Sequence, residues 1–277
     1  MLINNKEFDF ENKTYTMGIL NLTPDSFSDG GSYVNLDSAI KRAKKMVEEG
    51  VDIIDIGAES TRPGAAYIEE EEELRRILPV VEKLIKEVDV PISIDTYKPR
   101  VAEECIKAGA HIINDIKGLK DDFNMAKVIA KYGVFVIIMH IQGNPKNMQR
   151  NPGYDNIIKD IKKSLEESID IAVKAGISPE KIILDPGIGF GKTFENNLEI
   201  IKKLCEFRKL EYPLLIGASR KGFIGDILGT PPLDRLEGNL AVAVISAYNG
   251  ASIIRVHEVK ETVRALKMTD AVKSIKS

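Results

Sequence analysis

Apolar residues in this chain alternate between two spacings. Short, β-branched runs recur along it, and between them lie longer stretches whose apolar positions repeat every three or four residues. The first spacing is that of a buried strand and the second that of an amphipathic helix. Eight runs have the strand character: YTMGIL (15–20), VDIIDIG (51–57), VPISID (90–95), AHIINDI (110–116), VFVIIMH (134–140), KIILD (181–185), PLLIGAS (213–219) and ASIIRVH (251–257). The intervening segments read as helices, among them 36–50, 98–109, 123–133, 155–176 and 196–210. The first four of these end on Gly50, Gly109, Gly133 and Gly176, as helix C-termini commonly do. The acidic run EEEEELRR (69–76) reads as a solvated helix start.

Strands alternating with helices imply an α/β fold with a parallel sheet, and eight such units close most economically into a TIM (β/α)8 barrel. An open doubly wound sheet is the alternative, but it gathers functional groups at its switch point and not at every strand. At 277 residues with no linker or composition shift, the whole chain, 1–277, fits one barrel domain. A 43 % hydrophobic and 29 % charged composition excludes a disordered chain. The net charge of −3 provides no global basic field for nucleic acid or an anionic membrane, so any phosphate must be met locally. Cys105 and Cys205 lie far apart in helical patterns, without metal-ligand spacing, and are expected to be buried apolar residues in a reducing compartment. The polar N-terminus and the lack of any membrane-length apolar run lead us to expect a cytoplasmic protein.

A barrel of this kind carries its chemistry at the C-terminal ends of its strands. Polar residues stand there after every run: Asn21; Glu59, Ser60, Thr61 and Arg62; Asp95; Asn114 and Asp115; His140 and Gln142; Asp185; Ser219, Arg220 and Lys221; Arg255 and His257. Each alone is explained by capping or solvation, whereas the whole set is not. Asp95, Asn114 and Asp185 combine amide and carboxylate groups suited to the N–H edge of a flat heterocycle. Asn21, Arg62, Arg255 and His257 suit an anionic oxygen cluster, and Arg255 and His257 alternate along one strand so as to share a side.

The stretch DPGIGFGKTFENN (185–197) ends its glycine series in Gly191-Lys192-Thr193, as a nucleotide-binding loop does. Such a loop requires a glycine five residues before the Gly-Lys pair, and that position is Pro186, which has no N–H to donate. The glycines instead allow the loop to run close beneath a ligand, with Phe190 as an apolar wall.

MGILNLTPDSFSDGG, DIGAESTRPGA, SIDTYKP, INDI, MHIQGNP, DPGIGFGKTFENN, GASRKGFIG and RVHEV follow one another in register over nearly the whole chain. This series closely resembles the motifs of the bacterial dihydropteroate synthases. The resemblance implies a folate-biosynthesis transferase that joins 6-hydroxymethyl-7,8-dihydropterin diphosphate to p-aminobenzoate, releases pyrophosphate, is a sulfonamide target and forms a homodimer. It implies that Asp95, Asn114 and Asp185 hold the pterin, with Ile116 and Met139 near its ring and Lys221 between the two substrates. Asn21, Arg255 and His257 would take the diphosphate, with Mg2+ shared between Asn21 and the phosphate oxygens. Ser219, Phe190, Phe27 and Pro63 would border the p-aminobenzoate pocket, and Thr61 is counted with the substrate-binding residues. Asp95 and Asp29 would stabilise a pterin methylene cation, while Arg62, Arg255 and Mg2+ would stabilise the departing phosphates. The loops around TPDSFSDGG and STRPGA resemble mobile covers. One departure is Gly222, where many relatives carry Ser or Arg, which leaves a backbone N–H and the following helix start to meet the p-aminobenzoate carboxylate.

Two rival readings share the fold. A methyltetrahydrofolate-binding methyltransferase barrel would have no use for a diphosphate clamp. A non-catalytic folate- or phosphate-binding barrel would be expected to lack some of the charges at the strand ends, and here none is missing.

Overall fold

The computed structural model describes residues 1–22, 32–60, 64–144, 148–149 and 152–275. Among these, eight parallel strands form one sheet: β3 (Tyr15–Asn21), β4 (Ile53–Gly57), β5 (Ile92–Asp95), β6 (Ile112–Asp115), β7 (Phe135–Met139), β8 (Ile182–Asp185), β9 (Leu215–Ile216) and β10 (Ile253–Val256). They neighbour one another in the order β8-β7-β6-β5-β4-β3-β10-β9. The two ends of that order meet through a parallel bridge between Leu184 and Leu214, where the Leu184 N–H donates to Pro213 O at 2.9 Å. The sheet therefore closes, and the eight apolar runs are the eight staves of a barrel.

Period-two alternation divides the core in two. Tyr15, Met17, Ile53, Ile112, Phe135, Ile137, Ile183, Leu215 and Ile253 form a cluster inside the ring. Their strand neighbours, such as Ile54, Ile94, Ile113, Ile138 and Ile254, point outward into a larger cluster shared with the helices. An N-terminal hairpin, β1 (Leu2–Ile3) and β2 (Lys6–Glu7), adds Ile3 and Phe8 to the inner cluster. The Phe8 ring lies 4.6 Å from that of Tyr15. Lys6 Nζ reaches Asp52 Oδ1 at 3.2 Å and ties the hairpin to the residue preceding β4.

The helices form the outer layer: α1 (Ser32–Glu48), α2 (Glu70–Glu87), α3 (Pro99–Lys107), α4 (Phe123–Tyr132), α5 (Ile157–Lys174), α6 (Phe194–Lys202), α7 (Gly222–Leu228), α8 (Leu236–Tyr248) and α9 (Val259–Lys273). Their ends are written locally. Asp122 caps α4 by accepting from Asn124 N, and Thr193 and Asn196 form a reciprocal capping box on α6. Thr193 of the Gly-Lys-Thr run is thus a helix cap.

Three expectations need correction. The helix anticipated over 196–210 divides into α6 and a 3-10 helix, Leu204–Leu210, because Lys203 leaves helical geometry at φ −104°, ψ 23°. In that 3-10 turn Leu204 and Phe207, three residues apart, take the buried positions, so Cys205 is exposed instead of buried; Cys105 is buried. The acidic run 69–76 is not wholly solvated, since Glu73 is 1 % exposed and pairs with Lys98 Nζ at 2.6 Å.

Phe8→Ala empties a fully enclosed site at the base of the inner core, and should lower the unfolding free energy by about 3–5 kcal/mol. Urea denaturation measures this, and an unchanged midpoint would show that the hairpin does not seal the barrel.

Candidate active site

Along each strand the inward face changes from apolar to polar as the chain approaches its C-terminal end. Ile53 is followed on the same face by Asp55 and Gly57, Ile112 by Asn114, Ile183 by Asp185 and Ile253 by Arg255. The register brings these ends level: Asn21 pairs with Gly57, Gly57 with Asp95, Asp95 with Asn114, and Met139 with Asp185. Parallel pairing around a closed ring thus converts eight separate strand ends into one polar layer above an apolar floor.

Arg255 is the cation of this layer. Its Nε donates to Asp55 Oδ2 at 2.6 Å and its Nη2 to Asp95 Oδ2 at 2.7 Å. Asn114 Nδ2 donates to the same Asp55 oxygen at 3.2 Å. Burial works against the Arg255 charge, but the two carboxylates outweigh it and raise its pKa. Burial raises Asp95 to about 7, with Arg255 opposing the rise and the Asp55 charge adding to it. Asp55 Oδ1 and Asp95 Oδ1 remain buried without a hydrogen-bond partner among the described residues. Asp55 is absent from the expected site. Its signal was an acid inside an otherwise apolar strand, two positions before Gly57 and hence on the inward face.

Asp185 is buried, and its Oδ1 accepts from Gly187 N at 2.7 Å. Burial raises its pKa, opposed by that N–H and by the charges of Lys221, Lys192 and Arg255, which places all four groups within electrostatic reach of one another. The loop beyond Asp185 packs too closely for side chains. A Cβ on Gly187 would stand 1.9 Å from His140 O, and one on Gly189 would stand 2.5 Å from Lys221 Cδ. Lys221 lies across this loop, donating to Ile188 O with its ammonium 4.0 Å from the Phe190 ring centroid. Burial lowers Lys221 to about 7, the Asp185 charge opposing and Arg255 reinforcing the shift.

The second lysine of this region, Lys192, is buried, with Nζ 2.9 Å from His140 Nδ1 and 3.0 Å from Phe190 O. Burial holds its pKa well below 10.5 and lowers that of His140 to about 2. The lysine that makes the loop look like a nucleotide cradle therefore points into the protein and stitches the glycine loop to the end of β7. No sequence signal separates this lysine from an exposed one.

The remaining expected residues fall as follows. Ser219 Oγ lies 2.9 Å from His257 Nδ1, bringing together a residue assigned to the p-aminobenzoate pocket and one assigned to the diphosphate. Ile116 and Met139 are buried at the ends of β6 and β7. Asn21 ends β3, partly exposed, and offers one hard oxygen. No group of three His, Cys, Asp or Glu residues among the described residues could hold a metal by itself. That donor set fits Mg2+ held chiefly by substrate phosphates, the usual mode for this ion, and does not fit a protein-enclosed cation. Phe27, Asp29, Thr61, Arg62 and Pro63 lie outside the described residues.

The buried amine of Lys192 makes stability depend on pH. The folded chain disfavours the proton that an unfolded lysine carries below 10.5, so the wild type loses stability as pH falls from that value toward the lowered folded pKa. Lys192→Met removes this linkage. Urea denaturation at about pH 10 and about pH 8 should show the variant gaining on the wild type at the lower pH; a constant difference would mean that the amine stays charged in the folded protein.

Residues 17–257 match the family model described as pterin binding enzyme. A dihydropteroate synthase of Clostridium beijerinckii is 50 % identical over 273 residues, 98 % of this chain and 99 % of that protein. The crystal structure of the Yersinia pestis dihydropteroate synthase with a sulfonamide drug complex superposes with a TM-score of 0.94 at 47 % identity, covering 99 % of both chains. A dihydropteroate synthase of Clostridium difficile, crystallised in the presence of pteroic acid, gives a TM-score of 0.91 at 52 % identity over 96 % of this chain and 99 % of its own. With the polar layer of the barrel mouth in place and likeness extending over essentially the full length, the chain belongs to the pterin binding enzyme family and, within it, to the dihydropteroate synthases.

Proposed function

We propose that the barrel mouth condenses 6-hydroxymethyl-7,8-dihydropterin diphosphate with p-aminobenzoate to give 7,8-dihydropteroate and pyrophosphate. The observation that carries this assignment is the buried Oδ1 of Asp95, without a hydrogen-bond partner among the described residues and in register with Asn114, while Asp185 feels the same Arg255 and Lys221 charges that Asp95 does. A buried acceptor calls for a donor, and the N–H edge of a pterin supplies several. Asp95, Asn114 and Asp185 hold that edge, with Met139 and Ile116 against the ring. Lys221, seated on Phe190, separates the pterin from the aryl amine, and Ser219 borders the p-aminobenzoate pocket. The remaining N–H groups of Arg255, with His257 and Asn21, face the diphosphate.

The reaction breaks the bond between the pterin methylene carbon and its diphosphate oxygen, and the oxygen leaves with the electron pair. The lone pair of the p-aminobenzoate nitrogen then forms the new C–N bond, and that nitrogen releases a proton. No enzyme nucleophile is needed. Asp95 stabilises the methylene as it becomes cationic, and Arg255 and His257 stabilise the departing anion. Asn21 would hold Mg2+ together with the substrate phosphates, and the ion would supply charge compensation for the leaving group.

The protein acts as a cytoplasmic homodimer of single-domain subunits. Ile245 and Tyr248 of α8 and Met268 and Val272 of α9 are exposed on neighbouring helices, an apolar face that a second copy would cover; sedimentation velocity tests it. No described helix is long and apolar enough to cross a membrane, and the unpaired Cys105 and exposed Cys205 suit a reducing compartment.

Mass-spectrometric detection of dihydropteroate after mixing the protein with both substrates and Mg2+ is the direct test, and failure to form it would remove the assignment. Asp185→Ala and Lys221→Ala should each retain the fold by circular dichroism while cutting the rate about a hundredfold, the effect of losing one preorganised electrostatic group. Wild-type turnover in either variant would end that residue's role. Because Lys221 acts as a cation and its pKa is lowered to about 7, kcat/KM should fall as pH rises above that value. Lys221→Arg, which keeps its proton, should lose that alkaline limb whatever its absolute rate.

A further inference from the structure

Arg220 stands between two residues of the site, Ser219 and Lys221, with φ at +61°, a left-handed conformation that is costly for any residue with a Cβ. Its neighbours hold it there from several sides. Glu258 Oε1 accepts from Arg220 Nε at 2.7 Å and forms an ion pair with its Nη2 at 2.5 Å. The other oxygen of the same carboxylate accepts from Asn239 Nδ2 at 3.1 Å and from Ser219 Oγ at 3.3 Å. Asn239 Oδ1 in turn accepts the Arg220 N–H at 2.9 Å, and Arg235 Nη1 donates to the carbonyls of Arg220 and Lys221 at 2.9 and 3.0 Å.

We infer that Glu258 is a positioning residue, which holds Arg220 in its left-handed turn and thereby aims Ser219 and Lys221 into the barrel mouth. The turn spans residues 218–221, closed by Lys221 N donating to Ala218 O at 3.1 Å, and from it the Ser219 hydroxyl reaches His257 Nδ1 while Lys221 crosses to Ile188 O and the Phe190 ring. Glu258 directly follows His257, so one carboxylate also sets the spacing between the diphosphate end of the site and the lysine. Neither Glu258 nor Arg220 is assigned a contact with substrate. The inference rests on the condensation reading for its kinetic consequences, but its conformational claim stands apart from that reading.

The test exploits glycine, which adopts φ near +61° without strain. Glu258→Ala should lower kcat/KM for pyrophosphate release about tenfold, the factor expected when a left-handed L-residue loses its support. Arg220→Gly alone should stay near the wild-type rate, and adding it to Glu258→Ala should restore most of the loss. Glu258→Gln, with and without Arg220→Gly, gives the same comparison should the alanine variant fold poorly, with a smaller initial loss. A double variant no faster than its Glu258 single variant overturns the inference, because a residue acting only through bulk stability or direct chemistry is not rescued by freeing the backbone at position 220. A crystal structure of the Glu258 variant decides the matter independently of turnover: Arg220 leaving positive φ supports the inference, and Arg220 remaining near +61° with Ser219 and Lys221 unmoved overturns it. A wild-type protein that releases no pyrophosphate would remove the condensation reading, and the crystallographic comparison would still decide this one.

Discussion

A guanidinium held between two carboxylates inside a barrel is the interaction on which the rest of this molecule depends. Asp55 and Asp95 are both nearly excluded from water, and a lone buried carboxylate is far too costly to persist in charged form. Arg255 compensates both at 2.6 and 2.7 Å, and Asn114 adds a donor to Asp55. Removing either kind of partner would leave an uncompensated charge, which destabilises more than the pair itself contributes. The layer therefore behaves as a unit, and burial, opposed by Arg255 and reinforced by the Asp55 charge, keeps the Asp95 pKa raised to about 7. The apolar floor formed by Met17, Ile53, Ile112, Ile137, Ile183 and Ile253, sealed by Phe8, is what keeps water from relaxing that arrangement from below.

Around this layer, two lysines of similar sequence surroundings take opposite parts. Lys221 crosses the glycine loop, near the charges of Asp185 and Arg255, and titrates close to neutrality. Lys192 turns inward, meets His140 Nδ1 and Phe190 O, and burial holds its pKa well below that of an ordinary lysine. The difference comes from packing. Gly187 allows the loop backbone to press onto His140 O, and a Cβ there would also stand 3.3 Å from Lys192 Nζ. Lys192 Nζ also donates to Phe190 O, and the Phe190 ring carries the Lys221 ammonium, so the inward lysine helps to place the one that crosses the loop.

Backbone strain completes the mouth. Arg220, with positive φ, stands in sequence between two described site residues, Ser219 and Lys221, and three polar side chains, those of Glu258, Asn239 and Arg235, brace it. A strained turn braced this heavily is expected where geometry must hold to a fraction of an ångström, as between the Ser219 hydroxyl and the Lys221 ammonium at the barrel mouth.

Much of this protein is written locally. Eight β-branched runs, the helix periodicity between them, the terminal glycines and caps, and the polar residue at every strand end follow from short-range patterning, because side-chain period and capping chemistry act within a few residues. That was sufficient to identify the barrel and to nominate Asp95, Asn114, Asp185, Lys221 and Arg255, and the motif order was sufficient to recognise the family. Closure decided the remainder. Asp55 and Arg255 are 200 residues apart, Lys192 and His140 are 52 apart, and Arg220 and Glu258 are 38 apart. Such partners are set by which strands become neighbours when the ring joins, and no periodicity along the chain carries that information. The same reason explains the errors: Glu73 and Cys205 were assigned by local polarity and period, whereas the Lys98 partner of one and the 3-10 geometry around the other exist only in the packed molecule.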